Sequence, residues 1–166
     1  CGGMDLGFKQ AGFDIVWAND FDKDSVETYK FNFGDTHIIH EDITKIKNKD
    51  LPKPGNVDVV LGGFPCQGFS IANPNRKRDG MKDERNFLYK EMIRVIKYTK
   101  PAFFIGENVK GLMNMLGGKV RELIMSDFKK IGYKVNIRLL KASNFGVPQH
   151  RERVIIIGNN IGIENP

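Results

Sequence analysis

Residues 57–70, VDVVLGGFPCQGFS, decide how the chain folds. The segment opens on the apolar run Val57 to Leu61, which is typical of a short strand buried on both faces. Two glycines and Pro65 follow, so the strand ends in a turn. Strands covered on both faces belong to parallel sheets with helices packed above and below them. The segment therefore predicts an α/β fold with Cys66 at the carboxyl end of a strand.

Strand-like runs of this kind recur along the chain and alternate with amphipathic helical segments. The predicted strands are Asp14 to Ala18, Ile38-Ile39, Val57 to Leu61, Ala102 to Ile105, Val135 to Leu140 and Val154 to Ile157. The predicted helices are Met4 to Ala11, Asp22 to Phe33, Asn86 to Tyr98 and Gly118 to Ile131. This order predicts a doubly wound, mostly parallel sheet with helices on both faces. Asp22 is expected to cap the second helix, Gly34 to end it and Pro101 to close the third.

The chain has 166 residues, and we expect residues 1–166 to form one domain. Its formal charge of +6, from 26 Lys and Arg against 20 Asp and Glu, is compatible with an anionic partner and equally with a basic, solvated surface. No run approaches the roughly 18 apolar residues of a membrane span, and no secretory leader opens the chain. We therefore expect a cytoplasmic protein without a membrane partner. Because the chain begins with Cys1-Gly2-Gly3 rather than Met, we expect a piece of a longer protein.

A first group of residues is typical of a nucleotide site. The glycine loop 1–3 precedes the first helix, and Asp20 follows at the end of the next strand. A glycine turn lets a ligand approach the backbone, and such an acid accepts hydrogen bonds from ribose hydroxyls. Phe21 offers a ring for stacking on adenine, and Asp42 offers an acceptor for the adenine amino group. The alternatives are a tight strand-to-helix turn and acids that cap helices or face water.

The chain has two cysteines, Cys1 and Cys66, too few for a disulfide framework. Cys66 follows a strand, at the edge where open α/β folds bind ligands, and precedes the long polar stretch 71–85. A thiol exposed there is a candidate nucleophile. The alternative is that Cys66 packs as a small hydrophobe, as free cysteines usually do. The flanking Pro65 and Gln67 make a poor core environment and favour the nucleophile.

Two further polar groups adjoin predicted strands. Glu107, in the sequence ENV, is a candidate to donate a proton or to bind a substrate base. The alternative is a carboxylate that caps a helix or lies on the surface. In QHRER, residues 149–153, strand alternation points Arg151 and Arg153 to one side, where they can hold a phosphate or a carboxylate. The alternative for this stretch is an ordinary polar strand entrance. The two histidines of HIIH, residues 37–40, lack a ligand cluster, so we expect no metal.

Taken together, PCQGFS, ENV and QHRER, after a glycine loop and NDF, resemble the motifs of the cytosine-5 DNA methyltransferases. The resemblance extends over nearly the whole chain. It implies a Rossmann-like fold that binds S-adenosylmethionine and methylates carbon 5 of a cytosine flipped out of double-stranded DNA. The family is typical of bacterial restriction-modification systems, so we expect that the protein protects DNA in such a system.

The resemblance also implies a role for each motif. Cys66 would be the nucleophile that adds to cytosine C6, and Glu107 would bind the ring and protonate it at N3. Arg153 would help hold the base and steady Glu107, with Arg151 close by. The stretch Gln67 to Arg85 would be the mobile catalytic loop over the flipped base. The implied cofactor-binding residues are Cys1, Gly2, Gly3, Asp20, Phe21, Asp42, Ile43, Pro65 and Leu88.

The sequence departs from the family pattern at both ends. It lacks the first strand of the family fold and the target-recognition domain that follows the catalytic motifs. We therefore expect that a further C-terminal region or a second chain supplies target recognition. The chain alone is expected to hold the catalytic groups but to show little sequence-specific activity.

Three other functions stay open at this point. A transfer-RNA cytosine-5 methyltransferase shares the fold, but that branch usually carries Pro-Pro-Cys-Gln, whereas Phe64 precedes Pro65 here. A non-catalytic binding module is disfavoured by the complete set of catalytic residues. A nicotinamide-dependent dehydrogenase would leave PCQ and QHRER unexplained.

Overall fold

The computed structural model describes residues 1–34, 36–65 and 88–166. Its helices are α1 (Gly3–Gln10), α2 (Lys23–Phe33), α3 (Leu88–Thr99) and α4 (Lys119–Lys130). Its strands are β1 (Ala18–Asp20), β2 (Ile38–His40), β3 (Val59–Gly62), β4 (Phe103–Val109), β5 (Lys134–Lys141) and β6 (Glu152–Asn159). Short 3-10 turns lie at Asn48–Asp50, Lys110–Gly118 and Ala142–Phe145. Each predicted helix and strand has a counterpart here. In this part of the chain no helix is both long and apolar enough to cross a membrane.

Local sequence sets the ends of the helices. The Asp22 carboxylate accepts a hydrogen bond from the Ser25 amide at 2.8 Å and so caps α2. Gly34, at φ 56°, ends the same helix. Helix α3 stops at Thr99, two residues before Pro101, which cannot continue it. The predicted start and stop signals are confirmed.

Four strands form one mixed sheet in the order β3-β4-β6-β5. Strands β3 and β4 are parallel, with Val59 opposite Phe103. Strand β6 is antiparallel to both of its neighbours, with Asn159 opposite Phe103 on one side and Lys134 on the other. Three of the four strands thus share one direction, and β6 is reversed between two of them. The sequence did not predict this reversal, because a buried strand has the same apolar pattern whether it pairs parallel or antiparallel to its neighbours.

Strands β1 and β2 form a separate parallel pair, in which Ala18 lies opposite Ile38. The strand predicted at residues 14–18 therefore begins four positions later than expected. The ladder opens with the Ala18 amide, which donates to the His37 carbonyl at 2.9 Å. Upstream of that bond Val16 is 55% exposed. An apolar pattern alone did not make a strand there, because a strand also needs a hydrogen-bonded partner.

Helices α3 and α4 pack over the four-stranded sheet and form the main core. Phe104 of β4 stacks on Phe128 of α4 with ring centroids 4.4 Å apart, and both are fully buried with Ile96 of α3. Between the two helices the Tyr89 hydroxyl donates to the Asp127 carboxylate at 2.9 Å. This core anchors β4, the strand that carries Glu107.

A second apolar cluster joins the β1-β2 pair to the rest of the fold. Its buried members are Ile46, Leu51 and Val95, and Trp17 and Val60 pack against them. These residues come from the flanks of β1 and β2, from α3 and from β3. The cluster therefore holds the β1-β2 pair against β3 and α3.

Candidate active site

The candidate active site lies where β3 and β4 end side by side. Gly62 and Gly106 form their last aligned pair. Strand β4 continues to Glu107, while the chain after β3 turns through Gly63 toward Pro65. A Cβ atom placed on Gly63 would lie 4.0 Å from Oε2 of Glu107. The turn after β3 therefore runs beside the acid, at the edge where α/β sheets bind ligands.

Glu107 faces two arginines across the sheet. Its Oε1 lies 2.9 Å from Nε of Arg153 and 3.9 Å from Nη2 of Arg151. The antiparallel register sets Arg153 opposite Val109, which makes Arg153 a diagonal neighbour of Glu107 on one face. The Glu107 and Arg153 side chains are 26% and 29% exposed, so the pair is shielded yet open to a ligand. Arg153 makes the close, charge-assisted contact, and Arg151 adds positive charge at longer range.

Glu152, between the two arginines, belongs to a different ion cluster. Its carboxylate lies 2.6 Å from Nζ of Lys110 and 3.8 Å from Nζ of Lys141. The Lys110 hydrogen bond, and the charge of both lysines, hold the pKa of Glu152 below its ordinary value. Successive strand residues point to opposite faces. Glu152 therefore does not compete with Glu107 for the arginines.

Asn108, the residue after the acid, holds the end of β3 in place. It is 3% exposed, and its Nδ2 donates to the Phe64 carbonyl at 2.8 Å. Its Oδ1 accepts from the Val109 amide at 2.9 Å, so both ends of the buried side-chain amide are satisfied. Phe64 itself is buried. The backbone just before Cys66 is thus anchored to the strand that carries Glu107.

The glycine loop at the start of α1 packs tightly against α2. Gly2 has φ 76°, in the left-handed region that favours glycine. A Cβ atom there would lie 2.3 Å from Phe33 and 3.0 Å from Tyr29. Only glycine fits this position without displacing an aromatic ring. Cys1 is exposed just before it, and Gly3 begins the helix.

Two contacts place this loop between α2 and the turn that follows β3. The Tyr29 hydroxyl of α2 donates to the Asp5 carboxylate at 2.8 Å. Burial raises the pKa of Asp5 above its ordinary 3.8, and burial and the Asp5 contact also raise the pKa of Tyr29. On the other side Met4 lies 3.9 Å from a Cβ atom placed on Gly63. The glycine loop therefore adjoins the turn that runs beside Glu107.

The end of β1 presents a carboxylate and an exposed ring. Asp20 accepts a hydrogen bond from the Asp22 amide at 3.0 Å, which orients its side chain. Phe21 is 76% exposed, and its carbonyl lies 3.1 Å from Nε2 of His40. The backbone of Phe21 is thus tied to β2 while its ring faces outward. Such a ring is suited to stacking on a planar ligand.

Asp42 shapes the turn that follows β2. Its Oδ1 accepts from both the amide and the hydroxyl of Thr44, at 2.9 and 2.8 Å. These bonds lower the pKa of Asp42 below its ordinary 3.8. Next to it Ile43 packs against the second apolar cluster. The turn thus presents an ionised carboxylate close to the end of β2.

A family model described as C-5 cytosine-specific DNA methylase matches residues 1–165. The chain belongs to the C-5 cytosine-specific DNA methylases. Among curated relatives of this family, the Type II methyltransferase M.NgoFVII of Neisseria gonorrhoeae is 45% identical over 158 residues, which are 95% of this chain and 41% of that protein. M.AquIA of Picosynechococcus is 41% identical over an alignment of 174 positions, which covers 97% of this chain and 69% of that protein. The methylase chain spans less than half the length of M.NgoFVII and of M1.HphI from Haemophilus parahaemolyticus, of which it covers 44%.

Comparison with solved structures identifies the fold of the chain. A prophage-encoded protein of E. coli, described as a DNA modification methyltransferase, superposes with a TM-score of 0.76 and 30% identity over 95% of this chain and 43% of its own. The DNMT2 structure of Spodoptera frugiperda superposes with a TM-score of 0.74 and 27% identity, over 99% of this chain and 49% of its own. The predicted α/β methyltransferase fold is confirmed.

The methylase structure brings together only some of the residues that the sequence singled out. Glu107, Arg151 and Arg153 meet at one edge. Cys66 and the stretch predicted as a catalytic loop, residues 67–85, lie outside the described residues. Pro65 and Leu88, which border that range on either side, are both half-buried.

Sequence reasoning missed three polar residues that position parts of this chain. Asn108 holds the Phe64 carbonyl, and Asn19 donates to the carbonyls of Ile39 and Glu41 at 3.0 and 2.7 Å. Arg94 of α3 donates to the Ile43 carbonyl at 3.0 Å. Each of these side chains bonds to a backbone carbonyl at least 20 positions away in sequence. No local pattern signals such a partner.

In the described ranges of the methylase no three His, Cys, Asp or Glu side chains lie grouped as they would around a metal ion.

Proposed function

We propose that this chain carries the catalytic groups of a DNA (cytosine-5) methyltransferase, which methylates carbon 5 of a cytosine flipped out of double-stranded DNA. The observation that carries the proposal is the Glu107 carboxylate, 2.9 Å from the Arg153 guanidinium at the edge where β3 leads through Pro65 to Cys66. A pyrimidine ring becomes reactive when a thiolate adds to it and an acid neutralises the charge that develops. The family membership of the chain supports the same chemistry.

In this proposal the Cys66 thiolate forms a carbon–sulfur bond to C6 of the cytosine, while N3 takes a proton from Glu107. The electrons of the 5,6 double bond then make C5 nucleophilic; S-adenosylmethionine would supply the methyl group to C5 and leave as S-adenosylhomocysteine. A water molecule or hydroxide removes the C5 proton. The carbon–sulfur bond breaks, N3 returns its proton to Glu107, and the aromatic ring is restored. A serine oxygen is too hard and too basic for the first step.

The arginines have separate parts in this chemistry. Arg153 would orient the Glu107 carboxylate through the 2.9 Å contact and help hold the cytosine. Arg151, at 3.9 Å from the same oxygen, would add positive charge at the edge of the base pocket. Both roles need the guanidinium groups of Arg153 on β6 and of Arg151, just before β6, to reach Glu107.

The residues around the glycine loop fit S-adenosylmethionine. The loop backbone at Gly2 packs against the rings of Phe33 and Tyr29, whereas the space beside Gly3 is open, with no atom within 4 Å of an added Cβ. Asp20 would accept hydrogen bonds from the ribose hydroxyls, and the exposed Phe21 ring would stack on adenine. Asp42 would meet the adenine amino edge. The remaining proposed contacts are Cys1, Gly3, Ile43, Pro65 and Leu88.

The substrate is proposed to be double-stranded DNA rather than transfer RNA. The matching family is described as a DNA methylase, and Phe64 stands where the transfer-RNA branch usually has proline. We assign the base-specific contacts to the part of the relatives that this chain does not cover. In the complete protein a C-terminal region or a second chain would supply that part. A cytoplasmic location and protection of DNA in a restriction-modification system belong to the same proposal.

Methyl transfer measured with the complete protein tests this function. Tritiated S-adenosylmethionine is supplied with either duplex DNA or transfer RNA, and the wild type is compared with Cys66→Ser. We expect label in cytosine C5 of DNA for the wild type and none for the variant. The variant should keep the wild-type melting temperature and still bind S-adenosylhomocysteine. Label in transfer RNA alone, or full activity of Cys66→Ser, would overturn the proposal.

A further inference from the structure

Arg94, on α3, ties separate parts of the chain together away from the catalytic edge. Its Nη2 donates to the Ile43 carbonyl at 3.0 Å, and its Nη1 donates to Oδ1 of Asn48 at 2.7 Å. Its Nε donates to Glu91, one turn earlier on the same helix, at 2.7 Å. The Arg94 and Glu91 side chains are only 27% and 24% exposed. One rigid, planar group thus holds two points of the segment 43–48 against α3.

That segment begins with the turn that carries Asp42. Inside the turn, Asp42 accepts both hydrogen bonds of Thr44, and the Lys45 amide donates to the Asp42 carbonyl at 2.9 Å. These bonds fix the shape of the turn, but they cannot fix where the turn lies in the molecule. Its position depends on bonds to other elements.

Such bonds hold the turn from both sides, and on the β1 side the Glu41 amide also donates to the Asp20 carbonyl at 3.2 Å. Asn19 of β1 donates to the Glu41 carbonyl at 2.7 Å, just before the turn. Arg94 of α3 holds the Ile43 carbonyl, which directly follows Asp42. Without Arg94 the turn would keep its tie to β1 and lose its polar tie to α3.

We propose that Arg94 is a positioning residue for the cofactor, because it places the Asp42 turn where the carboxylate meets the adenine amino edge. The inference rests on the proposed function, in which Asp42 reads that edge. A hydrogen bond weakens steeply when its acceptor shifts or turns away, so the turn must be held from outside to recognise adenine well.

Lysine is not expected to replace Arg94. Its ammonium is a single point charge on a flexible stem, whereas the guanidinium serves Ile43, Asn48 and Glu91 in fixed directions. Arg94→Lys should therefore retain the charge and lose most of the positioning. The exposed Asn48 offers a milder test, since Asn48→Ala removes one acceptor and leaves the Ile43 contact.

The test compares two ligands on the complete protein by calorimetry. S-adenosylhomocysteine carries the adenine amino group, and S-inosylhomocysteine has an oxygen in its place. For Arg94→Met we expect about tenfold weaker binding of the adenine compound and little change for the inosine compound. Arg94→Lys should behave similarly, and Asn48→Ala should show a smaller loss of the same kind. Lys97→Met, exposed on the same helix, is the control and should match the wild type.

The ligand comparison separates positioning from general damage. Equal losses for both ligands, or wild-type affinity for both in Arg94→Lys and Asn48→Ala, would overturn the role of Arg94. If Arg94→Met does not fold, the lysine and Asn48 variants decide the question. A wild-type protein that binds neither ligand would overturn the proposed function instead, and the inference with it.

Discussion

Glu107 and Arg153 are the residue pair on which the proposed chemistry depends most. Their 2.9 Å contact joins neighbouring strands whose antiparallel register fixes both side chains on one face. Both side chains are only about one quarter exposed, so β4 and β6 hold them in their relative positions. A change at Arg153 should therefore affect the reaction more than the fold.

We expect Arg153→Lys to lower the rate of methyl transfer by about 10²-fold, because an ammonium cannot orient the carboxylate as a guanidinium does. Binding of S-adenosylhomocysteine should stay at the wild-type level. Single-turnover assays with duplex DNA and calorimetry measure the two quantities. Arg138→Ala, exposed on β5, is the control, and an Arg153→Lys rate equal to it would contradict the role of Arg153.

Gly2 supports a second prediction at this scale. Gly2→Ala forces a side chain into the left-handed region and toward the Phe33 ring, 2.3 Å away. We expect the free energy of unfolding to fall by about 1–3 kcal/mol. Gly7→Ala, with no atom within 4 Å of the added Cβ and a helical position, should be neutral or stabilising. Urea denaturation of both variants measures the difference, and equal stabilities would refute the close packing of the loop.

At the scale of elements, the cap of α2 gives a prediction about pH. The Ser25 amide lowers the pKa of Asp22 below 3.8, so the ionised cap stabilises the folded state above that pH and less as the pH falls through the lowered value. Asp22→Ala should therefore lower the melting temperature by a few degrees at pH 7. The difference in melting temperature between the wild type and this variant should narrow below pH 3.8. Asp24→Ala, which removes no cap bond, is the comparison. Thermal melts at several pH values measure this difference, and a difference that stays constant with pH would contradict the role of the ionised cap.

Most elements could be predicted from the sequence because their boundaries are local. Caps, glycines and prolines, together with the apolar period, lie within a few positions of each helix end. The start of β1 and the reversed direction of β6 could not be predicted, because both depend on a partner strand far along the chain. Glu107 could be predicted because it belongs to a local motif at the end of a strand. Arg94 could not be predicted, because its partner Ile43 lies 51 positions away.

At the scale of the whole molecule, the second apolar cluster connects the β1-β2 pair and the Asp42 turn to β3 and α3. Leu51→Ala should lower the free energy of unfolding by about 2–4 kcal/mol, because the side chain is 5% exposed and leaves a cavity among Ile46 and Val95. Affinity for S-adenosylhomocysteine should fall as well, since the Asp42 turn packs on this cluster. Leu123→Ala, at a residue 47% exposed, should change neither quantity measurably. A loss of stability with unchanged affinity would contradict this coupling.

The covalent bond between Cys66 and cytosine is the most direct test of the proposed function. The complete protein is incubated with S-adenosylmethionine and duplex DNA containing 5-fluorocytosine at the target base. Fluorine cannot leave as the C5 proton does, so the methylated adduct stays attached. We predict a stable protein–DNA complex in which mass spectrometry locates the bond at Cys66. No adduct in a protein that binds both DNA and cofactor, or an adduct at another residue, would contradict the account.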